Sequence, residues 1–212
     1  MKTSELIAYL SQETPNPCLK TPFYYGIRLG VILIAYAMSV QFFLPFRTDL
    51  MAQLLRPMFA IEILLLGLLI IVSIVAVTIS MYPDAYQKDS LLRIPYFVFG
   101  VLVLFIIFQL AMPHDVQMII PEIGYDMRCA LCVASVAIIP SAIIFTLLRK
   151  GASLHASHAG AFAVLIASSI GCLVLRLSET NDSLIHLMQW HYLPTVLFAV
   201  FGAIIGRLLL KW

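Results

Sequence analysis

Apolar residues run along this chain in long stretches, approximately 24–45, 58–81, 93–112, 127–148, 157–177 and 190–210, with polar residues largely confined to the gaps. Each stretch is close to the ~20 residues a helix needs to cross a bilayer. The gaps carry the breaks: Pro45 with Arg47 and Asp49, Tyr82-Pro83-Asp84, Pro113-His114-Asp115, Arg149-Lys150-Gly151 and Asn181-Asp182-Ser183. The pattern predicts an all-α integral membrane protein with six transmembrane helices and a short cytoplasmic N-terminal helix. It divides the chain into an N-terminal arm, 1–22, and a six-helix transmembrane domain, 23–212, with no gap long enough for a second domain.

Composition agrees with this reading. Of 212 residues 62% are hydrophobic and 11% charged, with a mean hydropathy of +0.99, and so little polar surface cannot cover this many apolar helices in water. A net charge of +2 is too small to imply direct nucleic-acid contact. The position of the basic residues says more, because Lys and Arg next to a span stay on the cytoplasmic side. With the N-terminus inside, that side collects Lys2, Lys20, Arg28, Lys88, Arg93, Arg149, Lys150, Arg207 and Lys211, against Arg47, Arg56, Arg128 and Arg176 outside. Both termini are therefore expected in the cytoplasm and LSETNDS, 177–183, in the last external loop. The opening MKTSELIAYLSQETPNPCLKTP is too long and too acidic for a signal n-region, so the Ala35 and Ala37 pair is read as part of span one rather than a cleavage site.

The arm has its own pattern. Thr3 suits an N-cap with Glu5 in the first turn, and Leu6, Ile7 and Leu10 form an apolar stripe. So short a helix is marginal in water and suits docking on a partner or a membrane surface. Within the spans, Ala159, Ala163, Ala167 and Gly171 make a small-residue ridge, expected to pack on span six, where Gly202 and Gly206 repeat the spacing. Gly26 and Gly30 repeat it in span one.

Candidate chemistry is sparse. Glu62 lies near the external end of span two and reads as an interfacial or paired acid, while Arg28, Arg176 and Arg207 sit where long side chains can snorkel to water. Cys129 and Cys132 share a helical face at the start of span four, open to packing, thiol or metal-sensing roles, with His114, Glu122 and Asp126 as neighbouring ligand candidates. Cys172 reads as a small hydrophobe. His155 and His158 lack a third ligand and are expected to be solvated, with Ser153 or Ser157 capping span five. Asp182 or Ser183 suits the N-cap of span six, His186 and Trp190 fall on one face, and Trp190, His191 and Tyr192 suit an aromatic interface belt. No nucleophile, base and orienter occur together and no phosphate-binding loop is present, which points away from an enzyme and from a cofactor. Two alternatives are a small transporter or channel using Glu62 and a membrane thiol redox protein using Cys129 and Cys132.

The stretches MKTSELIAYL, LLRKGASLHASHAGAFAVLIASSIGCL, NDSLIHLMQWHYLP and GAIIGRLLLKW, in this order around six spans, resemble the NrsF family of small membrane-embedded anti-sigma factors. The resemblance implies a regulator that holds an extracytoplasmic-function sigma factor at the bacterial inner membrane and releases it on an external signal. Carried over by position, Leu6, Ile7 and Leu10 would belong to the sigma-binding surface, and Cys129 matches an external cysteine of the family. A second family cysteine falls near Ser178 or Glu179 here, so the expected signal-sensing residues are Cys129, Cys132 and Glu179. The family also tends to carry a basic residue early in span two, where this chain has Glu62.

Overall fold

All six apolar stretches are helical, and their ends follow local chemistry. The computed structural model describes residues 20–112 and 123–210. The first helix, α1 (Pro22–Phe43), opens with a proline, whose missing N–H costs nothing in a first turn, and with Thr21, whose side chain accepts from the Tyr24 amide. A short α2 (Leu50–Leu54) precedes α3 (Pro57–Ile79), again opened by proline. A 3-10 turn (Pro83–Lys88) leads into α4 (Asp89–Ala111), and α5 (Ile123–Leu148) and α6 (Ala156–Ser178) follow. The last span is continuous from α7 (Leu184–Leu187) through a π turn (Met188–Tyr192) into α8 (Leu193–Leu209). The expected arm helix with Leu6, Ile7 and Leu10 lies outside the described residues, as do His114 and Glu122.

The six spanning helices are long and apolar enough to cross a membrane. On α1, Phe23, Ile27, Val31, Ile34, Met38 and Phe42 recur every three or four residues and are exposed, while Leu29 and Leu33 on the opposite side are buried. That outward apolar face has no cover among the described residues, and lipid is the medium that suits it. Helix α6 is the reverse case. It is buried almost throughout and packs against α1, α3, α5 and α8, so it is the axis of the bundle.

Small residues let the other helices approach that axis, though along a different ridge from the expected one. The contact with α8 runs through Ala156 and Gly160 on α6 and Gly202 and Gly206 on α8. A Cβ on Gly160 would overlap the Gly202 carbonyl oxygen and lie 2.7 Å from Gly206 Cα. Ala159 and Ala163 instead join a core with Leu29, Leu33, Ala76, Ile144 and Leu148, and Gly171 abuts Val133 of α5. The reason is that α6 is surrounded: its adjacent ridges serve different neighbours. Gly26 lies 3.8 Å from Thr78 Oγ1 by the same measure, whereas nothing stands within 4 Å of a Cβ on Gly30, so the pair in α1 does not act as one packing motif.

Gly160→Leu is therefore expected to destabilise the protein by at least about 2 kcal/mol, as overpacking does, seen as a lower thermal midpoint in detergent. Gly30→Ala should leave the midpoint unchanged or raise it, since a helical glycine costs roughly 1 kcal/mol relative to alanine.

Candidate functional site

The buried ionised residues among those described meet at one end of the bundle, where α1, α3 and α6 end or begin and the 179–183 loop crosses. The element that gathers them is Arg47, just past α1. Its amide donates to the Leu177 carbonyl at 3.0 Å, and its guanidinium forms two bonds to Asp182, both 2.9 Å, and two to Asp49, 2.7 and 2.9 Å. Planar forks of this kind suit carboxylates. Gln53 of α2 donates to Asp49 at 3.0 Å and to Asp182 at 3.3 Å. Beside them, Gln41 donates to the Leu44 carbonyl and to Ser178 Oγ, each at 2.7 Å, which fastens α1 to the end of α6.

Deeper in the same end lies a buried ion pair. Arg176 Nε stands 3.1 and 3.2 Å from the two Glu62 oxygens, and its NH1 donates to Asp182 at 2.7 Å. Tyr192 donates its hydroxyl to Glu62 at 2.6 Å. Glu62 is 1% exposed and Arg176 5%. The Phe59 ring lies under both guanidinium groups, 4.7 Å from Arg176 Cζ and 5.6 Å from Arg47 Cζ. The expectation that Arg176 snorkels to water is thus overturned: a carboxylate, a phenol and a ring face give the guanidinium inside partners that solvent would otherwise provide. Glu62 is a paired acid, which removes the isolated intramembrane charge on which a channel reading depended.

The third group adjoins these. Cys129, near the start of α5, places Sγ 3.6 Å from Glu179 Oε1. His186 Nε2 lies 3.1 Å from Glu179 Oε1 and His191 Nε2 3.2 Å from Glu179 Oε2. The two imidazoles meet edge to face with centroids 5.3 Å apart. One ligand atom from each of Cys129, Glu179, His186 and His191 lies within 4.8 Å of all the others, so among the described residues this group could hold a metal ion. Cys132 is one turn along, half-buried and outside this group, packed with the core around Leu66 and Val133.

Local sequence explains why two histidines five apart converge. Pro194 has no N–H for the Trp190 carbonyl and its ring crowds that carbonyl, and the helix answers with a π turn in which Leu193 N–H bonds to Met188. The His191 carbonyl is taken up by the Thr195 hydroxyl at 2.8 Å, with Cys172 Sγ 3.5 Å away. His191 and Tyr192 are consequently buried, which corrects their assignment to an interface belt. Ser183 does cap the helix, accepting from the His186 amide, and Asp182 is used by the arginines instead. At the opposite end His155 and His158 are exposed, as expected, but neither Ser153 nor Ser157 caps α6: His155 occupies the N-cap without a side-chain bond, and Ser157 accepts from Arg207.

Electrostatics outside the spans follow the contacts. Asp182 pulls the Arg47 guanidinium above its ordinary value, with Asp49 adding to the effect. Burial alone would raise the Asp182 carboxyl, but Arg47 and Arg176 more than offset it and hold it low. Burial likewise opposes ionisation of Glu179, and the His186 and His191 imidazoles overcome it, bringing the carboxyl down to about 2.

The architecture is that of a multi-pass α-helical membrane protein whose buried ionised groups, among the described residues, gather at one end. The family model described as NrsF, negative regulator of sigma F, matches residues 10–212. The chain belongs to the NrsF family, and is accordingly an anti-sigma regulator of transcription with a sigma factor as partner. A regulator family points to a non-enzyme. No curated protein and no solved structure matches the chain.

Replacing Arg176 with alanine should lower stability by about 3–5 kcal/mol, the usual effect of leaving one buried charge unpaired, and adding Glu62→Gln should cost less than the sum of the two single changes. Both are read from melting in detergent. Because the folded Asp182 carboxyl titrates below its ordinary 3.8, its contribution is complete above that value and is lost as pH falls below it. The melting midpoint should decline below about pH 4, with a smaller decline in Asp182→Asn.

Proposed function

We propose that this protein is a membrane-embedded anti-sigma factor that sequesters an extracytoplasmic-function sigma factor at the bacterial inner membrane and releases it on an external signal. The observation that carries the reading is the family match across 10–212, which spans all six apolar helices. In this reading the chain divides into a cytoplasmic arm, 1–22, and a transmembrane domain, 23–212, with both termini cytoplasmic and the lipid bilayer around the helices. Charge supports the orientation. Arg47 and Arg176, two of the four basic residues on the outer side, are neutralised by Asp49, Asp182 and Glu62, so they add little positive charge to that face, while the other side keeps the larger basic set.

The sigma-binding surface then includes Leu6, Ile7 and Leu10, an apolar stripe that a partner would cover on docking. Leu10 is the first residue of the matched stretch. On the outer side, the half-buried Cys129 and Glu179 form the sensing surface, with Cys132 one turn along. A signal read there has a short physical route inward, because Glu179 follows the last turn of α6, the helix that packs on most of the others.

The test is co-purification from detergent extract. The full chain should retain a sigma factor, and the combined variant Leu6→Asp, Ile7→Asp and Leu10→Asp should lose at least about tenfold in affinity, the effect of burying charge at an apolar contact. Retention by that variant would contradict the assigned surface. Failure of the unaltered chain to hold any sigma factor would contradict the function.

A further inference from the structure

The Arg47, Arg176 and Glu62 network satisfies its own charges, and beside it Cys129, Glu179, His186 and His191 bring four potential ligand atoms together. His191 Nε2 and Glu179 Oε2 are buried and 3.2 Å apart, yet neither makes a hydrogen bond of acceptable geometry. A close contact without a well-directed hydrogen bond leaves both buried atoms under-satisfied, and a cation between them would satisfy both. The His191 ring is 1% exposed, so water is a poor substitute there.

We propose that Cys129 Sγ, a Glu179 carboxylate oxygen, and one nitrogen each from His186 and His191 bind a single divalent cation of the zinc class. Tetrahedral zinc, with bonds of about 2.0–2.3 Å, keeps its ligand atoms roughly 3.3–3.8 Å apart. Glu179 Oε1 lies 3.6 Å from Cys129 Sγ, within that range, and 3.1 Å from His186 Nε2, just below it; His191 Nε2 stands 3.2 Å from the other oxygen, Oε2, and one ligand atom of each residue lies within 4.8 Å of all the others. Small side-chain adjustments therefore complete the geometry. One sulfur, two nitrogens and one oxygen form a borderline-soft set that suits zinc-like ions and not magnesium or calcium, which take oxygen ligands.

Charge balance favours the same assignment. On binding, the Cys129 thiol and any protonated ligating imidazole nitrogen give their protons to solvent, and the resulting thiolate and the Glu179 carboxylate, with neutral imidazoles, together cancel the two positive charges of the ion. A neutral assembly is what a site at the edge of an apolar bundle can hold without a large desolvation penalty. The approach is from the polar end: Glu179 is 21% exposed and Cys129 half-buried, with the two imidazoles as the floor. The ion would fasten three separate pieces of chain, namely the start of α5, the loop after α6 and the π turn. The assignment deepens the regulator reading by naming the ligand class of its outer face, and rests on that reading only for which side of the membrane the ligand comes from.

The test uses the full-length protein, purified metal-free in detergent and titrated with Co2+. One equivalent should bind and give the visible d–d bands of a tetrahedral ion with a near-ultraviolet sulfur-to-cobalt charge-transfer band, and Zn2+ should displace it. Cys129→Ser should remove the charge-transfer band while Cys132→Ser keeps it, and Glu179→Gln and His191→Ala should each weaken binding at least about tenfold. Glu179→Gln preserves shape and guards against a folding defect in the histidine variant, since its melting curve can be compared directly with that of the unaltered protein. Absence of stoichiometric binding, octahedral spectra alone, or a charge-transfer band that survives Cys129→Ser would overturn the proposal. Sigma-factor co-purification from a metal-free extract reports on the regulator reading by itself, so loss of one result is separable from loss of the other.

Discussion

Ionised side chains within an apolar bundle have to find partners inside it, and that requirement organises this molecule. Arg176 sits on the central helix, where water does not solvate it, and an unpaired guanidinium there would be untenable. Glu62 from α3, Asp182 from the last polar loop and the Phe59 ring surround it. Each of those partners belongs to a different stretch of chain, so satisfying one charge fixes the relative placement of several helices. Arg47 extends the arrangement by sharing Asp182 and bringing Asp49 and Gln53 with it. The polar end is therefore rigid for an electrostatic reason, while the rest of the bundle is held by close packing.

That division explains which parts of the fold were legible in the sequence. The six spans follow from hydropathy alone, because the length a helix needs to cross a bilayer is a property of the bilayer. The cap of span six is also local, and the sequence narrowed it to Asp182 or Ser183, of which Ser183 serves. The direction in which a ridge of small residues faces is not local. Ala163 and Gly160 are equally small, and only the arrangement of neighbours around α6 decides that Gly160 meets α8 while Ala163 meets the α1 and α5 side.

The polar site was half visible for a similar reason. Cys129 and Glu179 stood out, one through its spacing and family resemblance and the other as a substituted position, but His186 and His191 did not. Five residues apart on a regular α-helix puts side chains about 140° from each other, so the periodicity that paired His186 with Trp190 separated it from His191. The i to i+5 winding of a π turn reverses this. Pro194 was the available signal: a proline inside a helix that otherwise continues marks a place where regular winding fails. Arg176 was misread because its distance from the helix end permitted a path to water, and its partners at Glu62 and Asp182 become neighbours only after folding.

The wide turn at Met188–Tyr192 also has a role at the far end of its helix. It inserts one residue relative to regular α winding, and one residue corresponds to about 100° of rotation about the axis. Were those five residues wound regularly, everything beyond them would be displaced by that angle, and Gly202 and Gly206 would turn away from Gly160. The phase of the glycine seam is thus set some fifteen residues upstream, by the same irregularity that brings the two imidazoles together, so any rewinding of that turn would be felt as a twist along the whole remaining length of the span.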